Sequence, residues 1–151
     1  MISLDAFIII MYKLAPRQYI HVIDKNKSVT RIEIGPQNFF PQDHEEIVSG
    51  KSPLNYIVLK PYQYVTIENP IILQDGKLTY DKNGQVRVNA GETEVRIFDN
   101  YNKPFPLYPQ EVCLKHGEAK KIYRHQAVQM RVIRDFKDGN VERKAGDEYL
   151  I

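Results

Sequence analysis

The sequence predicts an all-β chain, built from tandem small antiparallel modules. Three observations carry this. Apolar and polar residues alternate in short runs, turn residues punctuate the whole length with 8 glycines and 9 prolines, and no long stretch shows helical spacing.

The elements follow in order. At the N-terminus, the apolar run from Phe7 to Tyr12 is rich in isoleucine and reads as a buried or interface strand. It is preceded by Asp5 and falls far short of the ~20 residues a membrane helix needs, so no membrane partner is expected. A first hairpin runs Tyr19 to Ile23, turns through Asp24 to Ser28, and returns along Val29 to Ile34, with Ile32 and Ile34 on one face and Arg31 and Glu33 on the other. Gly35-Pro36 ends it. A second module alternates Val65 and Ile67 against Thr66 and Glu68, with glycine-terminated turns at Asp75-Gly76 and at Asp81 to Gly84. A third begins near Cys113 and turns at "KDGN". Tyr149-Leu150-Ile151 opens a strand with nothing after it, which predicts a piece of a longer chain. The expected modules are 1–52, 53–112 and 113–151 (incomplete).

The modules are related to one another. "APRQYIHVID" from Ala15 aligns with "KPYQYVTIEN" from Lys60, and "YRHQAVQMRV" from Tyr123 keeps the glutamine but loses the proline and the tyrosine. Unequal offsets point to loop insertions in the second unit. A module of ~50 residues buries only about 60 % of its unfolded surface, so without staples it needs neighbours. Cys113 is the single cysteine, which excludes an intrachain disulfide and favours a reducing compartment.

Between the second and third modules lies "NKPFPLYPQEV". Pro104, Pro106 and Pro109 lack the amide donors of a central strand and hold their predecessors extended, whereas Phe105, Leu107 and Tyr108 are too apolar for a free linker. Burying each of those three contributes roughly 1.5 to 3 kcal/mol, so Pro104 to Pro109 reads as an inter-module packing strap rather than an exposed PxxP ligand.

"PFPLYPQEV", "YIHVIDKNKSVTRIEIGPQNFF" and "AGDEYL" together resemble the N-terminal repeats of the major vault protein family, over about Phe7 to Leu150. The resemblance implies β modules lying beside those of identical chains, many copies forming the wall of a hollow cytoplasmic ribonucleoprotein barrel. It implies a waist contact between two half-shells at Phe7, Ile8 and Ile9, with the loop of Asp43, His44 and Glu45 beside it. Implied partners are copies of the chain itself, vault-associated poly(ADP-ribose) polymerase, telomerase-associated protein and vault RNA. One departure is Gln110, where the family usually has glycine, which predicts that the backbone there does not need positive φ.

Sharper chemistry finds little support. Adjacent Asp43, His44, Glu45 and Glu46 rarely converge on one ion, although His44 at a subunit contact would make assembly pH-sensitive. Asp81, Asn83 and Gly84 lack the full calcium-loop pattern. Cys113 and His116 have no orienting third group, and no phosphate-cradling glycine loop is present, so neither an enzyme nor a cofactor is expected. Lys115, Lys120, Lys121, Arg124, Arg131 and Arg134 interleave with Tyr123, as on a single-strand RNA surface. With 21 basic against 19 acidic residues, a solvated strand face is the plainer reading, and pairing with Glu92, Glu94, Asp147 and Glu148 of a neighbouring subunit is a third.

Overall fold

A computed structural model describes residues 10–151, and among them every regular element is a strand. Phe7, Ile8 and Ile9 lie outside the described residues. The chain divides into two compact units, Met1–Glu118 and Ala119–Ile151.

Among the described residues the first unit contains eleven strands in order: β1 (Tyr12–Leu14), β2 (Gln18–Asp24), β3 (Val29–Ile34), β4 (Gln37–Phe39), β5 (Glu45–Ile47), β6 (Leu54–Asn55), β7 (Gln63–Glu68), β8 (Leu73–Gln74), β9 (Lys77–Leu78), β10 (Thr93–Ile97) and β11 (Val112–Glu118). β2 is the spine of its first sheet, pairing antiparallel with β3 along one edge and with β5 and β6 along the other. The hairpin read from the alternating residues forms with Tyr19 opposite Ile34 and Asp24 opposite Val29. Its turn is pinned by the Asp24 carboxylate, which accepts the amides of Asn26 (2.9 Å) and Lys27 (3.1 Å). Ile20 and Val22 are wholly buried and pack with Leu14 and Phe39, brought in by the β1–β4 pair.

β7 is the spine of the second sheet, between β10 and β11. Val65 and Ile67 are wholly buried there and pack with Leu59, Phe98, Tyr101, Phe105 and Leu107. β11 includes Cys113, so the segment on which a third module was expected to open is an edge strand of this sheet, with a bulge between Cys113 and Lys115. β8 and β9 form the tight hairpin expected at Asp75-Gly76, both residues taking positive φ (51° and 73°). The Asp81 loop is organised by its own carboxylate, which accepts the amides of Asn83 (2.8 Å) and Gln85 (2.9 Å).

The second unit carries β12 (Gln129–Arg131), β13 (Phe136–Asp138), β14 (Val141–Arg143) and β15 (Glu148–Leu150). β12 pairs with β15, and β13 pairs with β14 around Gly139-Asn140.

One turn introduces strand after strand. In Ala15–Gln18, Lys60–Gln63, Tyr108–Glu111 and Lys144–Asp147 the fourth amide donates to the first carbonyl (3.1, 2.9, 3.0 and 3.0 Å). The fourth side chain accepts the first amide in return (3.0, 2.9, 2.9 and 2.8 Å). The third residue holds positive φ in each: Arg17 62°, Tyr62 67°, Gln110 80° and Gly146 98°. The second residue is proline in the first three and Ala145 in the fourth, and positive φ at the third position marks a type II turn. The expectation that Gln110 escapes positive φ is therefore overturned, because the side-chain closure by Glu111 compensates the steric cost of a Cβ there, about 1 to 2 kcal/mol. The Tyr123 copy keeps the closure, with the Tyr123 amide on Gln126 Oε1 at 3.3 Å, but lacks both the proline and the positive φ.

Candidate assembly surfaces

The strap packs inside the first unit. Phe105 exchanges backbone hydrogen bonds with Ile57 (2.8 and 3.1 Å), and Pro106 and Pro109 are buried. The alternation of β2 explains what lies beneath it: Ile20 and Val22 face the first core, so Tyr19 and His21 face the strap. His21 Nε2–H donates to the Leu107 carbonyl at 2.8 Å, and the Tyr19 ring sits beside His21 (5.4 Å) and Tyr56 (6.0 Å). The strap thus bridges the two sheets, with Phe105 and Leu107 on the Val65–Ile67 core and the Leu107 carbonyl on His21 of the first sheet.

At the strap's end, Glu111 joins three elements. Its carboxylate touches Arg96 Nη2 and accepts the amides of Ile71 (3.1 Å) and Tyr108 (2.9 Å). Arg96 is almost completely buried on β10, where it also donates to Glu94 (2.9 Å) and lies over the rings of Tyr101 (5.1 Å) and Phe105 (5.3 Å). Burial works to discharge the guanidinium, and Glu111 with Glu94 more than reverses it, so Arg96 stays firmly charged. Sequence reasoning missed both residues. The signal was available in "YPQEV", which repeats the proline turn of "APRQY" and "KPYQY" with an acid in place of glutamine.

Burial lowers the His21 pKa below its ordinary 6.5, against the Leu107 carbonyl, which works to raise it. The sign follows: stability from neutral His21 is complete above 6.5 and is lost as pH falls toward the lowered folded value. Urea midpoints measured at pH 7.5 and 5.5 should therefore drop more in the wild type than in His21→Gln, which keeps a neutral donor. Equal drops in the two proteins would exclude His21 as the source.

The Asp43–Glu46 loop is tied into its own sheet. Glu45 bonds Arg31 (2.7 Å), Glu46 bonds Lys25 (2.8 Å), and His44 Nε2 lies 3.9 Å from Asp24. The Gln42 amide, with Arg31 behind it, holds the Glu45 carboxyl below the usual carboxylate range despite some desolvation. Glu45 therefore titrates below the pH window used for His21. Asp43 is exposed. Among the described residues no three His, Cys, Asp or Glu side chains converge as a metal site requires.

The six basic residues divide between the units. Lys115 lies on β11 with its ammonium 5.7 Å from the Tyr64 ring centre, whereas Lys120, Lys121, Arg124, Arg131 and Arg134 belong to the second unit. Both faces of β11 are largely exposed, and Val95, Ile97, Val112 and Leu114 leave an apolar patch on the second sheet open to solvent.

Comparison with known proteins decides the family. The Major Vault Protein repeat domain matches residues 56–117 and, in a second form, residues 122–151. The chain is similar to the major vault protein of Strongylocentrotus purpuratus, 39 % identical over 143 residues, covering 93 % of this chain and 16 % of that protein. It is similar to major vault protein alpha of Dictyostelium discoideum, 40 % identical over 141 residues (92 % and 16 %), and to the major vault protein of Homo sapiens, 33 % identical over 142 residues (92 % and 15 %). The chain belongs to the major vault protein family. It spans about a sixth of the length of these relatives. Within this vault-type repeat chain, the matched segment 56–117 takes in β7, β10, the strap and β11 as far as Gly117.

Proposed function

We propose that this chain is a wall segment of a self-assembling vault shell, without catalytic activity, working in the cytoplasm by lateral and end-to-end contact with copies of itself. The observation that supports it is the thinness of its sheets. Among the described residues the sheets hold two to four strands each and only two small clusters are buried, while Val95, Ile97, Val112 and Leu114 of the second sheet remain exposed. Such faces give weak contacts singly and tight ones when many copies act together. In this reading 1–52, 53–112 and 113–151 are successive repeats. Pro104, Phe105, Pro106, Leu107, Tyr108 and Pro109 stiffen the wall between them. Phe7, Ile8 and Ile9, with Asp43, His44 and Glu45 nearby, form the waist. Vault-associated poly(ADP-ribose) polymerase, telomerase-associated protein and vault RNA are the further partners that family membership suggests.

Electron microscopy of a longer protein containing this chain tests the reading. Hollow closed particles are expected, and Phe7→Asp, Ile8→Asp and Ile9→Asp together should leave half-shells. Closed particles from the triple variant would overturn the waist assignment, and the absence of any particle from the unaltered protein would overturn the shell.

A further inference from the structure

Charge is unevenly shared along the chain. Residues 119–151 hold eight basic and five acidic residues, a net of +3, whereas residues 1–118 hold thirteen and fourteen, a net of −1; together these give the +2 of the whole. Within the second unit, Lys120, Lys121, Arg124, Arg131 and Arg134 have no ion-pair partner among the described residues. Arg131 stands opposite Glu148 across the β12–β15 ladder, yet that carboxylate takes the Gln129 amide at 2.8 Å. Positive charge is thus left without neutralisation.

Aromatic surface accompanies it. Tyr123 is 53 % exposed, with the Lys121 ammonium 5.2 Å from its ring centre and the His125 ring nearly parallel to it (14°, centroids 6.1 Å apart). In the same unit, Arg131 and Arg134 border an open groove of about 340 Å³ floored by Met130, Phe136 and Tyr149. Exposed rings beside unpaired cations are the chemistry by which proteins hold single strands, the rings stacking on bases and the cations following phosphates.

We propose that residues 119–151 form a docking surface for single-stranded nucleic acid, with Tyr123 and His125 as the stacking platform and Arg131 and Arg134 as phosphate contacts. A second copy of the chain fits this surface less well. Ring contacts bring different patches of neighbouring copies together, but the five acidic residues of this unit are too few to neutralise its eight cations, so an external polyanion is the fuller complement. That step rests on the shell reading; the unpaired cations and exposed rings do not.

The test uses the whole 151-residue chain and a fluorescein-labelled oligouridylate of about twenty nucleotides, read by anisotropy near physiological salt. Saturable binding is expected, its logarithm falling with log salt at a slope of about −3 for four or five phosphates. Tyr123→Ala should weaken it about tenfold, and Arg131→Ala with Arg134→Ala should reduce the slope by about 1.4. Labelled oligothymidylate should bind similarly, because a ring stack does not read the sugar. Absence of binding overturns the proposal. Equal affinity for duplex or for labelled polyglutamate, or a Tyr123→Ala variant that binds unchanged, overturns it in favour of a charge-only surface. Self-association of the free chain by sedimentation, lost in the double arginine variant, assigns the surface to a second copy instead. None of these outcomes bears on whether the longer protein forms particles, so the two readings fail separately.

Discussion

Glu111→Gln should destabilise the first unit by about 3 to 5 kcal/mol, the range expected when one member of a buried ion pair is removed and the other is left behind. Arg96 has little access to water to fall back on, and Glu94, on the same strand, is only half-buried and shares its carboxylate with the Tyr101 hydroxyl (2.9 Å). The loss spreads beyond the pair. Glu111 also receives the amides of Ile71 and Tyr108, so a neutral amide with one acceptor oxygen cannot satisfy all three donors. Its removal should therefore loosen the turn that leads into β11. Adding Arg96→Met should recover at least half of the loss, because the stranded charge disappears with it. Urea unfolding followed by tyrosine fluorescence is suitable, since the chain has ten tyrosines and no tryptophan. A midpoint shift worth less than about 1 kcal/mol for Glu111→Gln would mean that the pair is solvated.

What the sequence revealed, and what it hid, follows one physical line. Hairpins whose turns carry their own chemistry were legible: Asp24 with its two amides, Asp75-Gly76, and Asp138-Gly139 with Gly139 at φ 59°. Those signals are local, involving residues within a few positions of each other. Arg96 was not legible. Alternation along "TEVRI" puts it opposite Val95, and a charged residue there reads as the wet side; only the strap, arriving from Phe105 and Glu111, turns that side into an interior. The same strap carries prolines that read as an inter-module packing device, a reading that leaves out the Pro-x-acid turn repeating "APRQ" and "KPYQ". The candidate surfaces divide the same way: the interleaved cations were visible in order, but the assignment of Lys115 to one unit and of the remaining five to the other depends on β11 pairing with β7.

Gly35→Ala should be the most damaging single methyl that can be added to the first sheet. A Cβ at Gly35 would stand 2.1 Å from the Ala15 carbonyl oxygen and 2.9 Å from the carbonyl carbons of Ala15 and Leu14. All three are backbone atoms, so no rotamer change relieves the clash; the chain itself must move by about 1 Å to reach an ordinary contact. Movement there has two further costs. The Gly35 amide donates to the Gln18 carbonyl (2.9 Å), holding the end of β3 against the turn that opens β2, and Leu14 is nearly fully buried where β1 meets β4. The expected loss is about 2 to 4 kcal/mol, with amide-exchange protection falling first along β1 and β4. Gly50→Ala separates this from the conformational effect of losing a glycine: its φ is 103° and nothing lies within 4 Å of the added methyl, so only the strain of about 1 kcal/mol remains. Because Gly35 is not in the left-handed region, alanine there suffers no such strain, and its greater chain stiffness would on its own favour folding by a few tenths of a kcal/mol. A Gly35→Ala variant as stable as the wild type would therefore mean that β1 does not approach this closely, and the packing of Leu14 on Ile20 and Phe39 would have to be redrawn.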